Sequence, residues 1–170
     1  EGGEIYCLVR EANRAWHAGV SYWRGRTDVN THSIGIELEN PGHEFGYRTF
    51  PKSQMKALTE LCHDILSRHS IPARNIIGHS DIAPRRKHDP GELFDWEFMA
   101  NQGIGLWPDL TSGGHLIDSP ERLLSSLGYE VDDICATLRA FQRHYLPSCI
   151  SGQADRITRK TLNALTALVG

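Results

Sequence analysis

The densest run of chemically capable side chains is Gly78 to Gly91, G-H-S-D-I-A-P-R-R-K-H-D-P-G, which carries His79, Asp81, Lys87, His88 and Asp89. Its prolines forbid helix through much of its length, so it reads as a rigid loop. Across such a loop the imidazole of His79 and the carboxylate of Asp89 can meet as two zinc ligands, with Pro90 biasing Asp89 toward extended backbone. On spacing alone, a solvated loop of turn-forming Asp and Pro fits the same residues better than a site does. A second cluster is Trp16, His17, Ala18 and Gly19, followed by Trp23, Gly25 and Asn30. Two tryptophans and a histidine in a Gly-rich stretch suit an aromatic-walled cleft for a sugar or peptide, and they suit a core-packing aromatic pair equally well. The third feature is Glu37 in S-I-G-I-E-L-E. In a half-buried strand Ile34, Ile36 and Leu38 share one face and Gly35, Glu37 and Glu39 the other, which is also how the wet face of an edge strand looks.

These residues need elements to hold them. Ile5 to Val9, Ser33 to Glu39 and Asn75 to Gly78 are short, partly β-branched runs bounded by Gly and Asn, and they read as strands. Pro51 opens a segment in which Met55, Leu58, Leu61, Cys62, Ile65 and Leu66 recur at helical steps, with Lys52, Lys56, Glu60 and Asp64 largely opposite. It predicts an amphipathic helix that ends before Pro72. Strands and helix in this order predict a mixed α/β layer structure. After Trp107 the chain turns to P-D-L-T-S-G-G, a linker texture without periodicity. Beyond it lie three helical patterns: one capped by Ser119 and stopped at Gly128, one with Ile134, Leu138, Phe141 and Tyr145 on a face, and one with Leu162, Leu165 and Leu168. A small three-helix domain follows from them, near the lower size limit for independent stability. It can lean on the first domain or on a Cys135–Cys149 bond, and buried thiols fit those cysteines as well.

Composition narrows the function classes. The 170 residues include 18 Lys and Arg against 21 Asp and Glu, a formal charge of −3, which provides no general attraction to nucleic acid or anionic lipid. No apolar run is long enough for a membrane-spanning helix, so no integral membrane function is expected. Four cysteines without a C-x-x-C pair weaken a cysteine-zinc or redox reading.

Taken in order, W-H-A-G, N-x-x-S-I-G-I-E and G-H-S-D-I-A-P-x-R-K-x-D-P-G resemble the zinc-dependent N-acetylmuramoyl-L-alanine amidases of the AmpD/AmiD type, relatives of the peptidoglycan recognition proteins. The likeness spans roughly residues 3 to 107, and the last motif is highly specific. It implies an α/β amidase fold with a mixed central sheet flanked by helices, and Zn2+ as cofactor. It further implies His79 and Asp89 as metal ligands, Glu37 beside the water held at the metal and Lys87 facing the scissile carbonyl. Trp16, His17 and Asn30 would line the substrate cleft. In the family a further ligand histidine lies on an early strand, before a helix and a D-G-x-I-Y turn. This chain starts at about that turn, with E-G-G-E-I-Y, so the catalytic domain at 1–107 is expected to lack its first strand and helix. His17, His32, His63 and His88 do not occupy that motif position, and either the third ligand comes from a companion N-terminal fragment of the same protein or the site is incomplete.

Residues 108–117 would then be the linker. Residues 118–170, with L-G-Y-E-V, T-L-R-A-F-Q-R-H-Y and G-Q-A-D-R-I-T, are similar to the three-helix peptidoglycan-binding module, an arrangement closer to the AmiD subgroup than to single-domain recycling enzymes. The implied activity is hydrolysis of the amide between N-acetylmuramic acid, or its 1,6-anhydro form, and the L-alanine of the stem peptide. Peptidoglycan and muropeptides are the expected partners. The expected location is the bacterial periplasm or cell envelope, with an outer-membrane lipid anchor as one option. A protein that binds the wall without cutting it is the rival reading. Glu37, Lys87, His79 and Asp89, the residues needed only for chemistry, favour the enzyme. A Ser-His-Asp hydrolase on Ser80 or Ser33 lacks the G-x-S-x-G elbow.

Overall fold

The computed structural model describes residues 2–111 and 118–169. Among the described residues six helices follow in chain order: α1 (Lys52–Arg68), α2 (His79–Ile82), α3 (Trp96–Asn101), α4 (Pro120–Leu127), α5 (Ile134–Tyr145) and α6 (Arg156–Val169). Single 3-10 turns lie at Val29–Thr31 and Ala73–Asn75.

The expected mixed sheet is not found among the described residues. Among the described residues there is no strand, and the β pairing is confined to one isolated antiparallel bridge between Trp23 and Arg26. The reason is pairing, not local conformation. Alternation predicts an extended backbone, but a strand exists only when a neighbour takes its N–H and C=O groups. Ile5–Val9 and Ser33–Glu39 carry no ladder, and Ile5, Tyr6 and Leu8 stand exposed. The side-chain alternation in the second segment holds only at its ends: Ile34 is half-buried and Leu38 packs on the core, but Ile36, expected on the same face, is exposed like Glu37.

α1 behaves as its pattern predicts: Met55, Leu58, Cys62 and Ile65 are buried. Met55, Leu58 and Cys62 form one core with Phe94, Trp96, Met99 and Ile104. Burial pushes the Cys62 thiol up to about 11, leaving it a structural hydrophobe. Beside that buried stripe His63 donates from Nε2 to the Gln102 carbonyl at 2.8 Å, holding the turn after α3.

α4, α5 and α6 share a second core of Leu123, Leu124, Leu127, Tyr129, Leu138, Phe141, Leu162 and Leu165. Each such burial contributes roughly 1.5–3 kcal/mol. Ser119 caps α4 by accepting from the Arg122 N–H at 3.4 Å, and Asp133 caps α5 through Ala136 at 3.0 Å. Leu168, expected on the buried face, is 54% exposed, because it is Val169, seven residues after Leu162, that returns to the face of Leu162 and Leu165 and packs on the core. All four cysteines are free thiols. Of the linker, residues 112–117 lie outside the described residues; before them Asp109 Oδ1 accepts from the Thr111 N–H at 2.8 Å, forming an Asx turn. No helix among the described residues is long and apolar enough to cross a membrane.

The two cores meet where Trp107, packed on the α1 core, faces Tyr145 of the helical core at 6.1 Å. A small third cluster of Ala18, Ile82 and Ala83 joins the helical core through Trp23, edge-on to Tyr129 at 5.1 Å, and the Arg24 N–H donates to the Gly128 carbonyl at 2.9 Å.

Candidate active site

The loop 78–91 closes on itself. The Ser80 N–H donates to the Asp89 carbonyl at 2.9 Å, so the two ends of the loop lie side by side. Gly78 makes this approach possible, because a Cβ there would sit 2.8 Å from Pro90 Cδ. His79 and Asp89 thereby meet, with His79 Nδ1 3.0 Å from Asp89 Oδ2. At the far side of the ring, Nε2–H donates to the Ala18 carbonyl at 3.0 Å. That bond assigns the tautomer and leaves Nδ1 facing the carboxylate. Two lone pairs at this distance require a shared cation, either a proton on Nδ1 or a metal ion. Burial raises the Asp89 carboxyl, but the hydrogen bond and charge of His79, with Lys87 beyond, outweigh it and hold the group below its usual 3.8. The donor pair suits zinc as two of the three protein ligands of a catalytic site. Among the described residues, no third His, Cys, Asp or Glu joins the pair in a metal-sized group.

The W-H-A-G stretch is bound to this loop from the other side. Arg86 donates to the carbonyls of Ala18 at 2.8 Å and Val20 at 2.9 Å, and the Tyr22 N–H donates to the Ile82 carbonyl at 2.8 Å. Asn30, buried, accepts through Oδ1 from the N–H groups of His17 at 3.1 Å and Ala18 at 2.8 Å. The His17 ring lies against Gly35, where a Cβ would come within 2.5 Å of Cδ2, and its Nε2 meets Ser33 Oγ at 2.8 Å. Gly35 is therefore required for the histidine to lie beside the segment that carries Glu37.

A cavity of about 1000 Å³ gathers most of the expected residues: His17, Glu37, His79, Lys87 and Asp89 all line it. Trp16 and Asn30 do not. Both line a separate hollow of about 700 Å³, where the exposed Trp16 ring lies under the Arg14 guanidinium at 4.3 Å.

Other residues shape the site without having been singled out by sequence. His43 Nε2 lies 3.0 Å from Glu92, and its ring stacks on Tyr47 at 4.3 Å. Tyr47 donates to the Pro90 carbonyl at 2.8 Å and accepts from the Leu93 N–H at 2.9 Å. Gly91, at φ +91°, is needed there, since a Cβ would strike the Tyr47 hydroxyl. The richness of this stretch in His, Tyr and Gly is the signal sequence provides, but not the pairing.

Comparisons with known proteins identify the family. The sequence model of the family N-acetylmuramoyl-L-alanine amidase (Amidase_2) matches residues 1–92. N-acetylmuramoyl-L-alanine amidase AmiD of Escherichia coli (strain K12) is 39% identical over 188 residues, covering 98% of this chain and 68% of the relative. 1,6-anhydro-N-acetylmuramyl-L-alanine amidase AmpD of Enterobacter cloacae is 47% identical over 96 residues, 55% of this chain and 48% of the relative. The solved complex of AmiD from E. coli with anhydro-N-acetylmuramic acid-L-Ala-D-gamma-Glu-L-Lys superposes with a TM-score of 0.87 at 39% identity, covering 98% of this chain and 74% of that chain. With one family matched over more than half its length and a relative matched along nearly all of it, the chain belongs to the N-acetylmuramoyl-L-alanine amidases.

Proposed function

We propose that this protein hydrolyses the amide between the lactyl carbonyl of N-acetylmuramic acid, in its 1,6-anhydro or ordinary form, and the L-alanine of a peptidoglycan stem peptide. The observation that carries the reading is the His79–Asp89 pair, 3.0 Å apart, in a cavity that Glu37 and Lys87 also line. The names of AmiD and AmpD support the bond and the substrate class.

His79 Nδ1 and Asp89 Oδ2 would hold Zn2+ as two of its ligands. Zinc, when bound, supplies Lewis acidity that activates water and polarises a carbonyl. Glu37, exposed on its extended segment, is free to take the proton of the attacking water and return it to the leaving amine of L-alanine. Lys87, whose charge already acts on Asp89, would stabilise the oxyanion that develops as water adds to the carbonyl. His17 would wall the substrate side of the cavity. Asn30 would act by holding the backbone of W-H-A-G, and Trp16 would offer an apolar platform at the neighbouring hollow.

Residues 118–170 are proposed to add affinity for the wall polymer. The working compartment is proposed as the bacterial periplasm or envelope, because polymeric peptidoglycan lies outside the inner membrane. A lipid anchor and a companion N-terminal segment carrying the third ligand belong to the same proposal, and fractionation with mass analysis of the intact protein reads them out.

The test is release of the alanine amine from a soluble muramyl peptide, with zinc content measured in parallel. His79→Ala should lose both the metal and turnover. Glu37→Ala and Lys87→Ala should keep the metal while slowing turnover by about a hundredfold or more. Full zinc and normal turnover in His79→Ala would sink the assignment. Wall binding without amine release by the parent protein would instead make it a non-catalytic recognition protein.

A further inference from the structure

Asp81 is 1% exposed, yet it is a carboxylate in the same helical turn as His79. A buried carboxylate persists only if its oxygens are met by donors. Three meet it here. The Gly78 N–H donates to Oδ2 at 2.8 Å, which pins the start of α2. The other two come from the helical unit: the Tyr129 hydroxyl donates to Oδ1 at 2.7 Å, and His144 Nδ1 lies 2.8 Å from Oδ2.

The histidine is held for this task. His144 sits in the last turn of α5, its ring stacked between Trp96 and Tyr145 with centroids 3.9 Å away on each side. Its Nε2 is buried without a hydrogen-bond partner among the described residues, which selects the tautomer whose proton is on Nδ1 and points at Asp81. The neighbouring Arg143 reaches the other end of the loop, its Nε 3.6 Å from Glu92 Oε2, three residues beyond Asp89.

We propose that Tyr129 and His144, with Arg143, are positioning residues that reach across from the helical unit to set the loop holding His79 and Asp89, acting through Asp81 and Glu92. The inference rests on the metal-ligand reading of His79 and Asp89 given above. It adds a second role for the helical unit: besides any affinity for the wall, it completes the donor set of a carboxylate two residues from a ligand. Removing one donor leaves Asp81 buried and under-satisfied, and α2 must shift to compensate, carrying His79 with it. Side chains that orient a metal ligand from behind typically matter by about 10–100-fold in metal affinity or activity.

The test uses the intact protein with Tyr129→Phe, His144→Leu and His144→Asn. Three quantities are read: zinc affinity by competition with a chromophoric chelator, kcat and KM on a soluble muramyl peptide, and hydrogen exchange of the Gly78 amide. Tyr129→Phe and His144→Leu should each weaken zinc binding and lower kcat by about tenfold or more, with KM little changed. His144→Asn, whose amide can donate in place of Nδ1–H, should recover most of both. Parent-like zinc affinity and kcat in folded Tyr129→Phe, whatever its melting temperature, would reduce the contact to adhesion between packed units and overturn the proposal. So would a His144→Asn variant no better than His144→Leu. If His144→Leu does not fold, Tyr129→Phe, which removes one oxygen only, decides. Should the parent bind no zinc and cleave nothing, the ligand reading fails separately. Gly78 exchange then decides alone: faster exchange in Tyr129→Phe supports the positioning, and unchanged exchange overturns it.

Discussion

In α4–α6 the inward side chains Leu124, Phe141, Leu162 and Leu165 are 0% exposed, whereas Tyr6, Leu8, Trp16, Val20 and Phe45 in residues 2–50 are 75–87% exposed. The two regions differ in how their backbone is satisfied. Each helix closes its own hydrogen bonds and needs neighbours only for its apolar stripe, which a shared core provides. Residues 2–50 contain a single 3-10 turn and one isolated bridge among the described residues. Their geometry depends on separate point contacts: Asn30 under His17 and Ala18, Arg86 on Ala18 and Val20, the Gln54 amide donating to the Glu39 carbonyl at 3.1 Å, and Glu11 clamped to the end of α1. Of the five expected cavity-lining groups, His17 and Glu37 hang on such contacts. A continuous core confers stability; point contacts confer the placement of individual groups.

The sharpest way to break this comparison is to truncate one large side chain in each region. Phe141→Ala should cost about 3–5 kcal/mol in denaturant unfolding, the range for an aromatic lost from a packed core. Leu8→Ala, at an exposed position, should stay within about 0.5 kcal/mol. Similar costs at both sites would mean that residues 2–50 are as deeply packed as the helices.

Asn30→Ala should fall between these. It removes no apolar packing, but it strips the N–H groups of His17 and Ala18 of their acceptor, at about 1–3 kcal/mol. Turnover should fall further than that loss of stability explains, because Ala18 also receives His79. A melting curve and rate equal to the parent's would show that the W-H-A-G stretch does not depend on this residue.

The smallest effect expected is at Glu11, whose carboxyl is held down to about 2 from 4.5, first by hydrogen bonds from Arg68 and His69 and then by their charges. Its oxygens accept from Arg68 at 2.6 Å and from His69 Nε2 at 2.7 Å. A carboxyl whose folded pKa is depressed contributes fully above its unfolded value, near 4.5, and loses that contribution as pH falls toward 2. The melting temperatures of the parent and Glu11→Gln should therefore differ modestly above pH 4.5 and converge on acidification. Because the clamp is exposed, high salt should shrink the gap. A gap that widens with acid would reverse the assignment.

Much of the site was legible in the chain as residue types in order. Spacing alone left His79, Asp89, Lys87, Glu37 and His17 as readable as a solvated loop, a wet strand face and core packing; it was the resemblance of their motifs to the amidases that singled them out, and the structure brings all five to one cavity. Trp16 and Asn30 looked equivalent to His17 in sequence, yet they face a different hollow, because a side chain's direction in irregular backbone follows from contacts and not from spacing. Arg86, Tyr47 and Glu92 gave no sign of their partners.

By itself, the sequence determined what depends on near neighbours. α1 and α4–α6 lie where their apolar periodicity puts them, and α4 runs from its Ser119 cap to its Gly128 stop, since helical hydrogen bonds span four residues and a cap spans three. Tertiary structure decided what depends on distant ones. Whether Ser33–Glu39 is a strand depends on a pairing partner, and the alternation of that segment is silent about one. Asp81 meets Tyr129 across 48 positions and His144 across 63. No local pattern encodes such a contact, because an imidazole on a helix face looks the same in sequence whether it meets water or a buried carboxylate.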